Sequence, residues 1–269
     1  MLQRRVSDEV VVYVSPLLAR LGVPHGFSTR LGGVSEAPFD SMNLGNPSGC
    51  AVQDSNSHIE ENYRRLQRAI GAGERRRCWV HQVHGAGVVD ADGERYEPGE
   101  KGDAIVSGDA SKILSVRTAD CVPILLAGAG GAVVAAVHAG WRGVVAEVLP
   151  ATIAAMRERG AGDVAAAIGP CIGFDSFEVG GEVLAEFESQ FRGAAPIRRD
   201  DGGKGRVDLR RACQIQLEAA GVLADWIDVS DRCTFRDHEE FFSHRRDQGI
   251  TGRMAALIGP VAGSPRKLQ

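Results

Sequence analysis

The sequence predicts an α+β fold in which layered mixed β-sheets are flanked by helices. Short segments rich in β-branched residues recur from the VVVYV at 10–14 to residues 253–258, and each has the length of a strand. Only a few segments show the apolar spacing of an amphipathic helix, the clearest being 58–70 and 208–221. The chain has 34 glycines, which predict many tight turns between these elements.

Length and composition indicate an ordinary globular protein. With 269 residues and no visible linker, we expect a single domain over residues 1–269. Apolar residues make up 43% of the chain and charged residues 25%. A net charge of −4 gives no indication of a nucleic-acid or membrane surface. The six cysteines are widely spaced and no targeting segment is visible, so we expect reduced thiols and a cytoplasmic protein.

The first half of the chain predicts strands separated by turns and one helix. Residues 10–14 are predicted to be the first strand, residues 25–28 the second, and 30–33 a turn. The amphipathic helix at 58–70 is closed by Gly71. Further strands are predicted at WVHQVHG (79–85), after residue 87, at AIVS (104–107) and at ILSVRT (113–118).

The stretch between Cys121 and Trp141 contains no charged residue and is long enough to raise the question of a transmembrane helix. Glycines in its middle, flanked by β-branched residues, instead predict two buried strands joined by a tight turn. If the arms 122–127 and 132–137 pair antiparallel, Cys121 and His138 lie across from each other at one end of the hairpin.

The second half predicts more helix. The amphipathic segment after Gly143 contains Pro150, so its long helix begins near residue 149 or a kink falls there. The remaining predicted elements are a buried strand at the start of 164–173, a turn and a helix in 177–191, a surface loop over 192–207, a helix over 208–221 capped by Asp208 and Gly221, and strands at 226–229 and 253–258.

His84 is a third candidate for the site formed by Cys121 and His138. In a strand over 79–85, His81 and His84 would point to opposite faces, so only one could face the cluster. The three residues are too far apart for a short zinc-finger pattern, but ligands at separate strand ends are typical of a catalytic zinc site with an open position. A thiolate and two imidazoles suit zinc, with copper as the competitor. The ordinary alternative is a small buried cysteine and a hydrogen-bonded histidine.

Eight short motifs follow one another along nearly the whole chain. They are FSTRLGGVS (27–35), NLG (43–45), QVHG (82–85), TADC (118–121), VHAGWRG (137–143), GPCIG (169–173), FEVG (177–180) and FFSHRRDQGITGRM (241–254). In this order they resemble the YfiH family, once called laccase-domain or polyphenol-oxidase proteins. The resemblance implies a YfiH-like fold and a purine nucleoside phosphorylase that acts on adenosine, inosine and 5′-methylthioadenosine, with adenosine deaminase activity in the same site. It also implies that His84, Cys121 and His138 are catalytic and hold zinc.

Five further residues are candidates for contacting substrate. The resemblance implies Arg30 for phosphate or ribose, since a guanidinium fork suits that geometry. Asn43 is either a turn residue or a polar lining of the site. Arg142 lies at a strand-to-helix junction, where a phosphate binder is often found. Glu178 is a candidate polar contact, and Arg245 is the candidate from the RRD segment. A solvated surface position is the alternative for Arg30 and Arg142, and Arg246 is the alternative to Arg245.

Two carboxylates are candidates for orienting an imidazole from behind the ligands. Asp103 stands in GDAIV, and Asp120 directly precedes Cys121. A turn or helix-cap role is the alternative for each.

Other functions are open at this stage. Cys121 with His138 as its base would make a cysteine hydrolase, and an amidase that edits peptidoglycan precursors would fit the role attached to bacterial relatives. The older family name suggests a copper-dependent phenol oxidase, but the seven histidines include no His-x-His pair. A structural zinc site is disfavoured because no fourth ligand is evident. The zinc-deaminase signature is absent, so deamination rests on the resemblance alone. The expected partners are small-molecule purine nucleosides and phosphate.

Overall fold

This computed structural model describes residues 1–47 and 49–262. These ranges contain sixteen strands and six α-helices, joined by turns and loops. The strands are β1 (Gln3–Ser7), β2 (Val10–Val14), β3 (His25–Ser28), β4 (Arg76–His81), β5 (Val88–Asp90), β6 (Glu100–Lys101), β7 (Ala104–Ser107), β8 (Lys112–Thr118), β9 (Val122–Gly128), β10 (Val133–Ala139), β11 (Val164–Ile168), β12 (Glu178–Val179), β13 (Ile197–Arg199), β14 (Gly205–Val207), β15 (Ile227–Val229) and β16 (Met254–Ile258). The helices are α1 (Pro16–Arg20), α2 (Asn56–Ala69), α3 (Trp141–Val145), α4 (Val148–Glu158), α5 (Gly181–Phe191) and α6 (Leu209–Ala219).

The strands form two large sheets and one small sheet. The first large sheet has seven strands in the order β1-β2-β3-β16-β8-β4-β6, and the second has six in the order β15-β11-β9-β10-β7-β5. Strands β12, β14 and β13 form the small sheet. Most pairs are antiparallel, but β4 runs parallel to β8 and β6, β11 to β15, and β5 to β7. Both large sheets are therefore mixed, which confirms the predicted α+β class.

The two large sheets pack face to face, and each is covered by helices on its outer side. Side chains of β10 alternate, so that Val134 lies in the core between the sheets and Val133 lies in the core beneath α4 and α6. Helix α2 covers the outer face of the first sheet, where Leu66 packs in one cluster with Leu257. The central strands are thus buried on both faces, which explains their continuous apolar sequence.

Strands β9 and β10 form the hairpin predicted from the uncharged stretch. They pair antiparallel, with His138 opposite Pro123. The chain reverses at Ala129–Gly131, where two glycines have positive φ, a conformation that costs glycine little. Cys121, directly before β9, therefore lies at the same end of the hairpin as His138. None of the helices in the described ranges is long and apolar enough to span a membrane.

The two helices with the clearest sequence signals lie close to their predicted positions. Helix α2 begins after Ser55, whose hydroxyl accepts a hydrogen bond from the N–H of His58, and Gly71 follows it at a φ of 70°. The prediction placed its start two residues late because the first residues of the helix are polar. Helix α6 begins after Asp208, whose carboxylate accepts the N–H of Arg211 at 2.9 Å.

Strands β1, β13 and β14 were not predicted from the sequence. Residues 10–14 form β2 and not the first strand, because β1 precedes them and pairs with them antiparallel. The sequence of β1 is largely polar and exposed, so it carries no apolar alternation. Residues 192–207, predicted as a surface loop, contain β13 and β14, which pair with each other. Strands of two or three residues give too short a pattern to be recognised.

The strand predicted over 79–85 ends at His81. The chain turns there, and His84 adopts a φ of 61°, in the left-handed region that residues other than glycine rarely occupy. The alternation that placed His81 and His84 on opposite faces of one strand therefore does not apply. His84 is positioned by a turn.

The segment after Gly143 is divided into two helices, as its proline indicated. Helix α3 is followed by Glu147 at a φ of 62°, and α4 begins at the next residue. Pro150 lies in the first turn of α4, where its missing N–H breaks no helical hydrogen bond.

Candidate metal centre and its cleft

Three predicted ligands meet at one end of the β9–β10 hairpin. His84 lies in the turn after β4, Cys121 between β8 and β9, and His138 near the end of β10. One ligand atom from each lies within 4.8 Å of the other two. Over residues 1–47 and 49–262 this is the only group of three or more His, Cys, Asp or Glu side chains with such spacing. One thiol and two imidazoles are a donor set suited to zinc.

Asp103, directly before β7, holds two of these ligands in place. Its buried carboxylate accepts hydrogen bonds from Nδ1 of His138 at 2.8 Å, from the backbone N–H of His84 at 3.0 Å and from that of Gly85 at 2.7 Å. An ionised carboxylate only accepts, so Nδ1 of His138 carries a proton and Nε2 keeps a lone pair for a metal. This is the contact expected of a carboxylate that orients a metal-binding imidazole.

Cys121 and His138 form a coupled acid–base pair. Burial opposes ionisation of the Cys121 thiol, but His138 and His84 outweigh it and lower its pKa. Burial also opposes a charge on His138, but the Cys121 thiolate and the Asp103 carboxylate raise its pKa. Each residue therefore favours the charged form of the other. A bound cation would pair with the Cys121 thiolate and take the place of a proton on Nε2 of His138.

Gly140 leaves the space beside the three ligands free. A Cβ atom at this position would lie 3.0 Å from Cδ2 of His84, 3.1 Å from Sγ of Cys121 and 3.8 Å from Cε1 of His138. Any side chain would thus occupy the volume toward which all three ligands converge. The backbone φ of Gly140 is −72°, which any residue can adopt, so the glycine is required by space and not by conformation. The donor set and this space together fit a metal ion.

His84 forms the solvent side of the group. Its side chain is exposed, whereas His138 is buried and Cys121 is half-buried. The ring centres of His84 and His138 lie 4.9 Å apart, and the two ring planes make an angle of 87°. A cation held here would be reached from the side of His84, so the open coordination position would face the cleft.

A cleft of about 500 Å³ opens beside the three ligands. Its lining includes the apolar side chains of Trp141, Ile172, Phe177 and Leu209. It also includes four arginines, Arg117, Arg142, Arg245 and Arg253. Within the described part of the chain, none of these four guanidinium groups forms an ion pair with a carboxylate. The cleft therefore offers an apolar wall and an excess of positive charge.

Two of the five predicted substrate residues line this cleft, and three do not. Arg142 and Arg245 are part of the lining, whereas Arg30, Asn43 and Glu178 are not. The guanidinium of Arg30 is paired elsewhere, with the carboxylate of Asp40 at 3.1 Å. The carboxylate of Glu178 binds Lys204 at 2.8 Å, although its backbone carbonyl accepts a hydrogen bond from Arg245 at 2.9 Å.

Asn43 is fully buried in the segment between β3 and α2. Its Oδ1 accepts the backbone N–H groups of Arg253 at 2.9 Å and Gly45 at 3.2 Å, and its Nδ2 donates to Asp54 at 2.9 Å. The residue therefore contacts the backbone of a cleft arginine and not the cleft itself.

Asp120 has a different role from the one considered for it. Its carboxylate accepts hydrogen bonds from Oγ1 of Thr234 and from the backbone N–H of Arg245, both at 2.7 Å, and it binds no imidazole. It anchors the segment that carries Arg245 to the turn that carries Cys121.

Sequence reasoning missed Arg117, Arg253 and Gly140. Each lies in or beside a quoted motif: Arg117 directly precedes TADC, Gly140 is the glycine of HAGW, and Arg253 is in TGRM. Their shared signal is that all three are next to strand ends at the same edge of the molecule. Only the register of the strands shows that these ends converge.

Comparisons with known proteins agree with this fold. The family described as multi-copper polyphenol oxidoreductase laccase matches residues 24–260. The purine nucleoside phosphorylase YfiH of Escherichia coli (strain K12) is 40% identical over 237 residues, which are 88% of this chain and 93% of that protein. A purine nucleoside phosphorylase of Deinococcus radiodurans is 39% identical over 248 residues, covering 91% and 92%. The crystal structure of YlmD from Geobacillus stearothermophilus is similar with a TM-score of 0.84 and 33% identity, covering 96% of this chain and 98% of that one.

Proposed function

The chain belongs to the YfiH family of laccase-domain proteins, and from this premise we propose that it is a metal-dependent purine nucleoside phosphorylase. One observation carries the proposal. The His84, Cys121 and His138 group opens into a cleft that also holds four arginines, none of which pairs with a carboxylate of the described residues. Phosphorolysis needs a site for a phosphate ion beside a site for a nucleoside, and the cationic and apolar linings of the cleft supply both.

The reaction is a displacement at C1′ of the ribose. An oxygen of hydrogen phosphate forms a bond to C1′, the bond from C1′ to the purine nitrogen breaks, and its electron pair stays on the base. The proton given up by hydrogen phosphate balances the proton taken up by the departing purine. We propose that Arg142 and Arg245, the two predicted substrate contacts that line the cleft, attract the charge of the incoming phosphate.

Zinc is the metal we propose, with copper as the competing ion, and His84, Cys121 and His138 are the residues that would hold it. When bound in proteins, zinc polarises substrate oxygens and lowers the pKa of water to about 7. The chain's own contribution is to fix the ligands. Asp103 orients His138 and holds the turn of His84, and Gly140 keeps the adjoining volume empty.

Adenosine, inosine and 5′-methylthioadenosine are the proposed substrates. The flat apolar lining at Trp141 and Phe177 suits the face of a purine. We include adenosine deamination, in which water replaces the 6-amino group and ammonia leaves. We also propose that residues 1–269 act as one catalytic domain in the cytoplasm, since the six cysteines are free thiols.

A cysteine hydrolase is the second candidate, because one observation favours it. Asp103, His138 and Cys121 form a chain in which a carboxylate orients an imidazole that in turn lowers the pKa of a thiol. The same three residues would serve an amidase without metal. Chelation should abolish a zinc enzyme, whereas alkylation of Cys121 should abolish the hydrolase whether or not metal is present.

Copper-dependent phenol oxidation has less support. Multicopper oxidases bind several ions, largely through histidine, and the described residues contain one potential metal group with two histidines.

The test combines metal analysis with a chromatographic assay of nucleosides. Purified protein should contain about one zinc per chain and should release free base from adenosine or inosine only when phosphate is present. Cys121→Ala and His138→Ala should fold but lose both metal and base release. Cys78→Ala, a buried cysteine of β4 outside the cleft, is the matched control and should retain both.

Two results would overturn the proposal. One is the absence of phosphate-dependent base release from all three nucleosides by zinc-loaded protein. The other is full activity of Cys121→Ala or His138→Ala. Activity that survives metal removal but not alkylation of Cys121 would favour the hydrolase.

A further inference from the structure

Arg117 and Arg253 lie side by side in one wall of the cleft. Arg117 is in β8, and Arg253 directly precedes β16. The two strands pair antiparallel with Arg117 opposite Ala255, so Arg253 is the diagonal neighbour of Arg117 on the same face of the sheet. Such neighbours lie roughly 7–8 Å apart, within reach of long side chains. Two half-buried guanidinium groups are thus brought to one place.

Neither group has an acidic partner among the described residues. Nη1 of Arg253 donates to two backbone carbonyls at 2.9 and 3.0 Å. The carboxylate of Asp120 is already engaged by Thr234 and by the backbone of Arg245. Burial and the positive charge of Arg117 lower the pKa of Arg253, which is the direction expected for a cation that lacks a counter-ion.

The NLG segment fixes the backbone of Arg253 from both sides. Oδ1 of the buried Asn43 accepts the N–H of Arg253 at 2.9 Å, and the N–H of Leu44 donates to the carbonyl of Arg253 at 2.9 Å. Asn43 is itself held by Asp54 at 2.9 Å. These bonds fix the backbone from which the Arg253 side chain extends, and the bonds from Nη1 to two backbone carbonyls hold the side chain itself.

Arg117 is held between a glycine and an aromatic ring. A Cβ atom at Gly45 would lie 2.7 Å from Nη1 and 2.8 Å from Cδ of Arg117, so the side chain lies against the bare backbone of Gly45. On another side its guanidinium carbon lies 5.4 Å from the centre of the Trp79 ring. The backbone of Arg117 makes two hydrogen bonds to the Gln82 side chain, at 2.7 and 2.8 Å.

The other two arginines of the cleft are placed differently. Arg142 and Arg245 are exposed. The guanidinium carbon of Arg142 lies 4.3 Å from the centre of the Trp141 ring. That of Arg245 lies 5.3 Å from the centre of the Phe177 ring, and Nη1 of Arg245 donates to the backbone carbonyl of Glu178. Solvent screens exposed charges, so these two arginines attract an incoming anion but hold it less firmly than a half-buried pair would.

Two adjacent, partly buried cations without a carboxylate are costly unless an anion joins them. Two guanidinium forks match the oxygens of a phosphate ion, to which each can donate two hydrogen bonds. We propose that Arg117 and Arg253 bind the inorganic phosphate of the reaction, and that the Asn43-Leu44-Gly45 segment positions them. The assignment rests on the proposed phosphorylase function.

The test is calorimetric binding of orthophosphate to the zinc-loaded protein, together with steady-state kinetics. Arg117→Gln and Arg253→Gln should each weaken phosphate binding by roughly 10- to 100-fold, the range expected for losing charge-assisted hydrogen bonds. The KM for phosphate should rise in the same proportion, and the KM for nucleoside should stay within about twofold. Arg117→Lys should recover part of the affinity, because it keeps the charge but not the fork.

Gly45→Ala tests the positioning segment. The added methyl group displaces the Arg117 side chain, so phosphate affinity should fall severalfold while metal content stays unchanged. Arg157→Gln, on helix α4 and outside the cleft, is the matched control and should bind phosphate like the unaltered protein.

The outcomes separate this assignment from the function on which it rests. Phosphate binding that depends on Arg117 and Arg253, without base release, would remove the phosphorylase proposal and leave the anion site. Phosphate-dependent base release with an unchanged phosphate KM in both variants would remove the assignment and leave the phosphorylase. Failure of the unaltered protein to bind orthophosphate at millimolar concentration would also overturn the assignment.

Discussion

The Asp103 carboxylate and the His138 imidazole lie 2.8 Å apart, and both are buried. The same carboxylate accepts the backbone N–H of His84, so one acidic residue sets the ring of one ligand and the turn that carries another. The geometry of the metal group therefore depends on a residue that does not belong to it.

We expect Asp103→Asn to bind zinc about 10- to 100-fold more weakly, the usual cost of losing such a partner. An asparagine has one amide oxygen, so its NH₂ group would face either Nδ1 of His138 or the N–H of Gly85, donor against donor. Competition with a chelator measures the affinity. Asp237→Asn is the control, because the Asp237 carboxylate also accepts a backbone N–H, that of Cys233 at 3.0 Å, but does not line the cleft. Equal zinc affinity in both variants would contradict this role for Asp103.

Gly140→Ala should fold but lose most of its metal. Its methyl group would lie within 3.8 Å of atoms of all three ligands, in the space that an ion needs. Metal analysis and a thermal unfolding curve together separate loss of metal from loss of fold. Gly85→Ala is the matched control, since its Cβ would meet nothing closer than 3.7 Å. Full zinc content in Gly140→Ala would show that the ion lies elsewhere.

Trp141→Ala should raise the KM for nucleoside by about tenfold, because stacking of a base on an aromatic ring contributes roughly 1–3 kcal/mol. The KM for phosphate should change little, and Trp141→Phe should recover most of the loss. Trp226, which does not line the cleft, provides the control variant Trp226→Ala. An unchanged nucleoside KM in Trp141→Ala would exclude this ring as a wall of the base site.

Much of the fold follows from local pattern, and most of the site does not. The β9–β10 hairpin could be predicted because its turn glycines and apolar arms are contiguous. The convergence of Arg117 and Arg253 could not, because it depends on the pairing of β8 with β16. Arg30 shows the converse difficulty. Its guanidinium suits a phosphate, but the chain folds so that it binds Asp40 instead, outside the cleft.

Asp228 should make stability depend on pH. Its carboxylate accepts hydrogen bonds from Ser15 at 2.6 Å and from the N–H of Leu17 at 3.1 Å, and so joins β15 of the second sheet to α1. Burial opposes ionisation of Asp228, but these hydrogen bonds hold its pKa below the ordinary value. A depressed pKa stabilises the fold above the unfolded-state pKa, about 4, and this contribution is lost as pH falls through the native pKa.

Asp228→Asn should therefore lower the free energy of unfolding by about 1–3 kcal/mol at pH 7. The difference from the unaltered protein should shrink as the pH approaches 3, as measured by urea denaturation. Asp225→Asn removes an exposed carboxylate nearby and should have little effect at either pH. A difference that stays constant between pH 7 and pH 3 would exclude ionisation of Asp228 as its source.

The central position of β16 has a consequence for how the protein is made. It lies between β3 and β8, and the N–H of Ala255 donates to Oγ of Ser28, 227 positions earlier. During synthesis on the ribosome, β3 and β8 emerge before the strand that separates them, and each meanwhile leaves the backbone N–H and C=O groups of one edge unpaired. Arg253 emerges directly before β16. The nascent chain therefore leaves these two edges open until β16 emerges, and Arg117 and Arg253 come together only then.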